Sequence, residues 1–291
     1  MATSRKPLFE ADEATAPLGQ AIAPPADEAV SAPPEADTVA GRALMIAALS
    51  QRATLESEKD FVKFKKLQQW VERYGLFGHL GEAGAELFDA ELGSWSDEDV
   101  DTVGWVTDEL QVLLWALQRA DFPTLDTRPD VAKLVSSVPL LGEADSFLDG
   151  ATLRPLDEIE AHLALSEALL EAIRSEVYAR SILEDPAALE VDAELEELLT
   201  AMAERGFNRK DAAKGGPHTE AVQGLRFWGR TLLTELFAEG TPHAAHRIDS
   251  AKLVSLDDAT LATWLGGAQG RTEALAWLVE GDEEAEGPLD D

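Results

Sequence analysis

Two adjacent acids, Asp108 and Glu109, lie in the most apolar stretch of the sequence, residues 105–117. A carboxylate in apolar surroundings can act as a general acid or base, or can bind a cationic group of a ligand. Together with Arg154, which could supply an opposing charge, the two acids form the candidate ligand-binding set. A structural interpretation is preferred, because buried carboxylates usually bond to a loop amide or an arginine, here Arg154 or Arg226. No catalytic residue is assigned.

A second chemical pattern is the spacing of His243 and His246, followed three residues later by Asp249. On a helix, side chains at positions i and i+3 share a face and could bind zinc or iron. No further strong ligand is nearby, so two solvated histidines between helices are the preferred interpretation. The sequence contains no phosphate-binding glycine loop, no nucleophile elbow and no His-Glu-x-x-His pair. We therefore predict neither a metal nor another cofactor.

The charge balance limits the classes of partner. The chain has 56 acidic and 24 basic residues, and its formal net charge is −32. This field repels phosphate backbones and anionic lipids, which argues against nucleic-acid and membrane binding. No apolar run approaches the roughly 20 residues of a membrane span, so a cytoplasmic protein is expected. The acidity could serve solubility or a salt-rich habitat, attract a basic protein partner, or mimic nucleic acid.

Helical periodicity defines the elements that must position these side chains. Apolar residues recur at helical spacing over residues 38–280, and no alternating strand pattern is present. The sequence therefore predicts an all-α fold, a single multi-helix domain. Two of its long helices are expected at 105–120 and 155–184, on either side of the candidate ligand site. Another helix is expected to begin after Ser57 as its N-cap and to end at Gly75.

Both ends of the chain are predicted to be tails. Residues 1–37 are dominated by Ala, Pro and acids and are expected to be disordered. Two helices are predicted at 257–265 and 271–280, before the second acidic tail, 281–291. The first tail carries a small basic and apolar group that could dock onto a partner: Arg5, Lys6, Leu8 and Phe9.

Several short elements in series resemble a known bacterial family. They are Gly41-Arg42-Ala43-Leu44, Trp105 with Glu109, Leu113-Leu114-Trp115-Ala116-Leu117, Leu153-Arg154-Pro155-Leu156-Asp157-Glu158-Ile159 and Arg271-Thr272-Glu273-Ala274-Leu275-Ala276-Trp277-Leu278. In this order they resemble the family called domain of unknown function 4272, over roughly residues 38–280. Val106 and Ala276 replace an arginine and an asparagine of the family pattern, and an insertion is predicted within 185–270. The resemblance implies an α-helical fold but no activity, cofactor or catalytic residue.

Three functions are compatible with these observations. The favoured one is a non-enzymatic acidic interaction protein, an adaptor or an immunity-type inhibitor, that binds a basic protein partner. The second is an enzyme or small-ligand-binding protein with its site between helices 105–120 and 155–184. The third is a scaffold or assembly component recruited through its tails. The first is favoured because the net charge is large and no catalytic set is visible; the oligomeric state stays open.

Overall fold

The computed structural model describes residues 32–124, 130–187, 189, 193–238 and 250–281. Within these ranges every regular element is helical and no strand occurs, which confirms the all-α prediction. Their α-helices are α1 Ala36–Glu58, α2 Phe61–Tyr74, α3 Gly81–Asp89, α4 Asp97–Ala116, α5 Val131–Ser136, α6 Asp145–Leu148, α7 Leu156–Glu184, α8 Ala193–Glu204, α9 Arg209–Ala212, α10 Pro217–Ala238, α11 Ser250–Ser255 and α12 Asp258–Glu280. Short 3-10 helices occupy Leu76–His79 and Ala213–Gly215. No helix in the described ranges combines the length and the apolarity needed to cross a bilayer.

Contacts divide the chain into two compact units. Among the described residues, the smaller unit holds those within Ala179–Phe227. The larger unit holds those within Val30–Tyr178 and Trp228–Asp291. The predicted domain boundaries at 38 and 280, and the predicted insertion within 185–270, stay predictions.

The boundary between α1 and α2 differs from the sequence-based prediction. Ser57 is not an N-cap, because α1 continues through Glu58 and ends at Lys59, whose φ of 53° is left-handed. The cap of α2 is Asp60, whose carboxylate accepts a hydrogen bond from the backbone N–H of Lys63 at 3.0 Å. A short polar side chain outside the first turn satisfies an otherwise unpaired N–H group, and Asp60 does this as well as a serine would.

The helix that contains the acid pair begins earlier than expected. α4 starts at Asp97 rather than near residue 105. Ser96 accepts a hydrogen bond from the backbone N–H of Asp99, and the Asp99 carboxylate accepts one from the backbone N–H of Ser96. This reciprocal capping box fixes the first turn. Asp108 and Glu109 therefore lie in the middle of the helix, where both are surrounded by packed neighbours.

The last described helix is continuous where two were predicted. α12 runs without interruption through Gly266, Gly267 and Gly270. Each glycine inside a helix costs about 1 kcal/mol relative to alanine. Tertiary packing offsets this cost, because the apolar residues on both sides of the glycines, such as Trp264 and Leu275, are buried.

The core of the larger unit is built around α4. All residues of α1 from 39 to 50 are buried, and α4 packs against both α1 and α12. Leu110, Leu113 and Leu114 of α4 have no exposed surface. These residues are buried because α4 lies between two other helices.

The smaller unit has its own apolar contacts and one charged cluster. Leu199 and Met202 of α8 pack against Gly224 of α10, where a Cβ atom would overlap the Leu199 side chain. Arg209 pairs with Glu196 of α8 and with Glu220 of α10. These contacts join the described helices of this unit to one another.

Candidate functional site

Asp108 and Glu109 each form a buried ion pair with an arginine from a different helix. Arg271 of α12 donates from Nε and Nη2 to Oδ1 of Asp108, at 3.0 and 2.7 Å. Arg42 of α1 donates from Nε to Oε1 of Glu109 at 2.5 Å. Asp108 and Arg271 are each only 4% exposed. Adjacent residues of a helix point about 100° apart, so one acid pair connects α4 to two neighbouring helices.

Arg154 donates to neither acid, so its prediction as their opposing charge was wrong, whereas that of Arg226 stays a prediction. The Nε of Arg154 donates to the carbonyl of Trp115 at 2.8 Å, and Nη1 donates to Glu158 at 2.8 Å. The backbone N–H of Arg154 also donates to the carbonyl of Ala116. Arg154 thus caps the C-terminal end of α4, where exposed carbonyls favour a cation.

Two aromatic side chains, Trp277 and His79, lie beside the ion pair of Arg42 with Glu109. The guanidinium of Arg42 lies over the ring of Trp277, 4.3 Å from its centroid. His79 lies nearby; burial lowers its pKa, and the charge of Arg42 lowers it further. Gly41 contacts the His79 ring so closely that a Cβ atom would overlap it. The structure therefore brings together Gly41, Arg42, Glu109 and Trp277, which the sequence places in three separate elements.

A third buried pair, Arg52 with Glu56, was not predicted from the sequence. Arg52 is fully buried and pairs with Glu56 one turn later in α1. Its Nη2 donates to the carbonyls of Ala90 and Glu91, at 3.2 and 3.3 Å. Glu56 accepts a hydrogen bond from the backbone N–H of Trp95 at 2.9 Å. The available signal was an arginine and a glutamate four residues apart, shortly after the apolar run of residues 43–49.

The pKa of Glu56 reflects two opposed effects. Burial raises the pKa, because it penalises the charged carboxylate. Hydrogen bonds from Arg52 and from backbone N–H groups stabilise the same charge, and the net result is a pKa below the ordinary value. The carboxylate of Glu56 is therefore ionised and holds the segment between α3 and α4 against α1.

A small cleft lies next to the Asp108–Arg271 pair. Its apolar lining is Phe122, Pro123, Leu165, Leu169 and Ala268. Ser166 and Arg271 are its polar lining residues. The cleft lies near the site predicted between helices 105–120 and 155–184, but α12 supplies its charged group in place of Arg154.

Acidic residues line one exposed side of α7. Asp157, Glu160 and Glu167 are exposed, and Glu171 is half-buried. The pKa of Glu167 is raised by partial burial and then by the nearby carboxylate of Glu280, at the end of α12. Burial also raises the pKa of Glu171, outweighing a hydrogen bond from Trp228. We call these four α7 residues and Glu280 the acidic face.

Comparison with known proteins gives one match. A family model described as a domain of unknown function, DUF4272, matches residues 17–188, more than half of the chain. The chain belongs to this family. No curated protein matches the chain, and neither does any solved structure.

The DUF4272 match is shorter than the resemblance had indicated, since it ends at residue 188 rather than near 280. It includes α1 and α4, and so contains Arg42, Glu109 and the Arg52–Glu56 pair. Arg271 lies outside it. The ion pairs of Asp108 and Glu109 thus combine residues inside the DUF4272 match with Arg271 of α12, which lies outside it.

Two sets of candidates in this DUF4272 chain lie outside the described residues. The docking candidates Arg5, Lys6, Leu8 and Phe9 belong to residues 1–31, and the metal candidates His243, His246 and Asp249 belong to residues 239–249. The predicted acidic tail, 281–291, is described only at Gly281, the C-cap residue that follows α12. Within the described ranges, no three acids or histidines are grouped so as to hold a metal ion.

The acidic face gives a first prediction for this DUF4272 protein. Because the pKa of Glu167 is raised, ionisation of its carboxyl group opposes folding above that pKa. Glu167→Gln should therefore increase the free energy of unfolding at pH 7, by roughly 0.2–0.5 kcal/mol because the site is largely hydrated. The gain should vanish below pH 4, where both states are protonated. Urea unfolding at both pH values measures it, with exposed Glu72→Gln on α2 as control; a loss of stability at pH 7 would contradict it.

Proposed function

We propose that this protein is a non-enzymatic adaptor or immunity-type inhibitor that binds a basic protein partner through the acidic face. The observation that carries the proposal is the repulsion between Glu280 and Glu167, which adds to the effect of burial in raising the pKa of Glu167. Cations from a partner lower the free energy of such a surface when they approach it, because they offset repulsion that is already present in the free protein.

The pairing of the central acids supports this proposal. Asp108 and Glu109 are neutralised by Arg271 and Arg42, so the large excess of acidic residues is carried by other parts of the chain. Both carboxylates are also buried and already accept hydrogen bonds from their arginines. Both points favour an interaction protein over an enzyme that uses these two acids.

Steering by charge makes the proposal measurable. Association between an acidic surface and a basic partner accelerates at low ionic strength, and it slows when salt screens the charges over about 10 Å. We therefore expect retention of the partner to depend strongly on salt and on the charges of the acidic face, and much less on acids elsewhere.

The test compares two variants with the same change in net charge. Glu160→Gln, Glu167→Gln and Glu280→Gln together neutralise the acidic face, whereas Glu72→Gln, Glu143→Gln and Asp149→Asn neutralise exposed acids outside it. The tagged full chain is used to capture proteins from a lysate of its source cells at low salt. A basic protein should be retained by the wild type and the control variant, with affinity at least tenfold lower for the acidic-face variant. Capture of no basic protein, or equal capture by both variants, would overturn the proposal.

A further inference from the structure

The outer side of α2 combines exposed cations with exposed apolar side chains. Five exposed residues recur there at a spacing of three and four, which places side chains on one side of a helix: Val62, Lys65, Lys66, Gln69 and Arg73. We call these five residues the basic face. Val62 is 69% exposed, and Phe61 beside it is 60% exposed.

The cations of the basic face are not neutralised by their neighbours. Lys63, on the flank of α2, lies 3.4 Å from Glu58 and from Asp60. Lys65, Lys66 and Arg73, in contrast, form no ion pair within the part of the chain that the structure describes. α2 contains four basic residues and one acid, so it is a positive element in a chain whose formal net charge is −32.

The chemistry of the basic face fits an acidic segment that also carries an apolar residue. Residues 282–291 contain six acids and no basic residue, and Leu289 is their one large apolar side chain. Residues 1–31 fit less well, because they spread five acids over a longer segment and also contain Arg5 and Lys6. Charge complementarity therefore favours residues 282–291 as the occupant.

The placement of α12 and α2 brings this segment within reach. Near the end of α12, the ring centroid of Trp277 lies 4.3 Å from the guanidinium carbon of Arg42 in α1. The preceding residue, Gly41, packs against His79, which follows the end of α2 by five residues. α12 and α2 thus end near the same part of α1. Ten extended residues span about 33 Å, whereas the 14 residues of α2 span about 21 Å.

We propose that residues 282–291 bind the basic face of α2 in the same chain. Their carboxylates pair with Lys65, Lys66 and Arg73, and Leu289 lies against Val62. Attachment to α12 gives the segment an effective concentration of about a millimolar, so contacts that are individually weak are sufficient. The contact uses no residue of the acidic face, so this proposal and the proposed function can fail independently.

Carbodiimide cross-linking of the full chain tests the proposal, because it joins a lysine to a carboxylate only when the two are in contact. Unlabelled and isotope-labelled chains are mixed, so that mass spectrometry separates links within one copy from links between copies. We expect Lys65 and Lys66 to link to acids of 282–291 within one copy, whereas exposed Lys133 of α5 should not. The yield should fall roughly fivefold or more between about 0.01 M and 1 M salt, where the screening length decreases from about 30 Å to 3 Å.

Two variants with the same change in charge separate the basic face from the general field of the protein. Arg73→Glu reverses a cation of the face and keeps both lysines that form links, whereas Lys133→Glu reverses an exposed cation outside it. Links from Lys65 and Lys66 to 282–291 should fall roughly threefold or more in Arg73→Glu and stay unchanged in Lys133→Glu. Absence of links to 282–291, links only between copies, or an equal yield in both variants would each overturn the proposal.

Discussion

Arg271→Met should lower the free energy of unfolding by about 3–5 kcal/mol, because the substitution leaves Asp108 charged and buried without its partner. The two hydrogen bonds to Oδ1 of Asp108 are lost together, while methionine keeps much of the apolar volume of the arginine stem. Urea unfolding followed by circular dichroism at pH 7 measures the change.

The matched controls separate the lost ion pair from a general effect of removing an arginine. Arg73→Met removes an exposed arginine from α2 and should change stability by less than about 0.5 kcal/mol. The double variant Asp108→Leu with Arg271→Met should recover most of the loss, since it buries no unpaired charge. A loss in Arg271→Met no larger than in Arg73→Met would contradict the prediction.

Arg52→Met should have an effect of similar size, about 3–5 kcal/mol. The substitution leaves the Glu56 carboxylate buried and removes the donor to the carbonyls of Ala90 and Glu91. It also removes a guanidinium that lies over the ring of Trp95. Chemical unfolding measures the loss, and fluorescence of the tryptophans should report a changed environment in the folded state.

The dependence on pH distinguishes the charge of Glu56 from the packing of Arg52. The folded-state pKa of Glu56 lies below its ordinary value of 4.5, so its ionised form contributes stability above that value. This contribution is lost as the pH falls through the folded-state pKa. The stability difference between the wild type and Glu56→Gln should therefore be largest near pH 7 and should shrink below about pH 4. A difference that is constant between pH 7 and pH 3 would contradict this assignment.

The sequence predicted those features that depend on local spacing. Helical periodicity predicted an all-α chain and the extent of α7, because the spacing of apolar residues reports which face of a helix is buried. The break predicted between 265 and 271 was wrong because tertiary packing outweighs the low helix propensity of glycine in α12. Ser57 was wrong as a cap because a serine and an aspartate three residues apart are equally good candidates.

The candidate site was predictable only in part, because its contacts join residues that lie far apart in the sequence. Burial of Asp108 follows from the apolar residues around it in α4, and an arginine partner was expected. The identity of that arginine depends on which helix packs beside α4, and Arg271 lies 163 positions away in the sequence. The cleft is formed by three separated segments, so no local pattern could indicate it.

The distance in sequence between Asp108 and Arg271 has a consequence for biosynthesis. A ribosome completes α1 and α4 well before it reaches α12, and domains generally fold while the chain is being made. Until Arg271 is translated, the nascent chain lacks the native partner of Asp108, so we expect this side of α4 to stay hydrated. Arg42 is already present when Glu109 is made. The two neighbouring acids are therefore neutralised at different times. The side of α4 that carries Asp108 can exclude water only after α12 has been made.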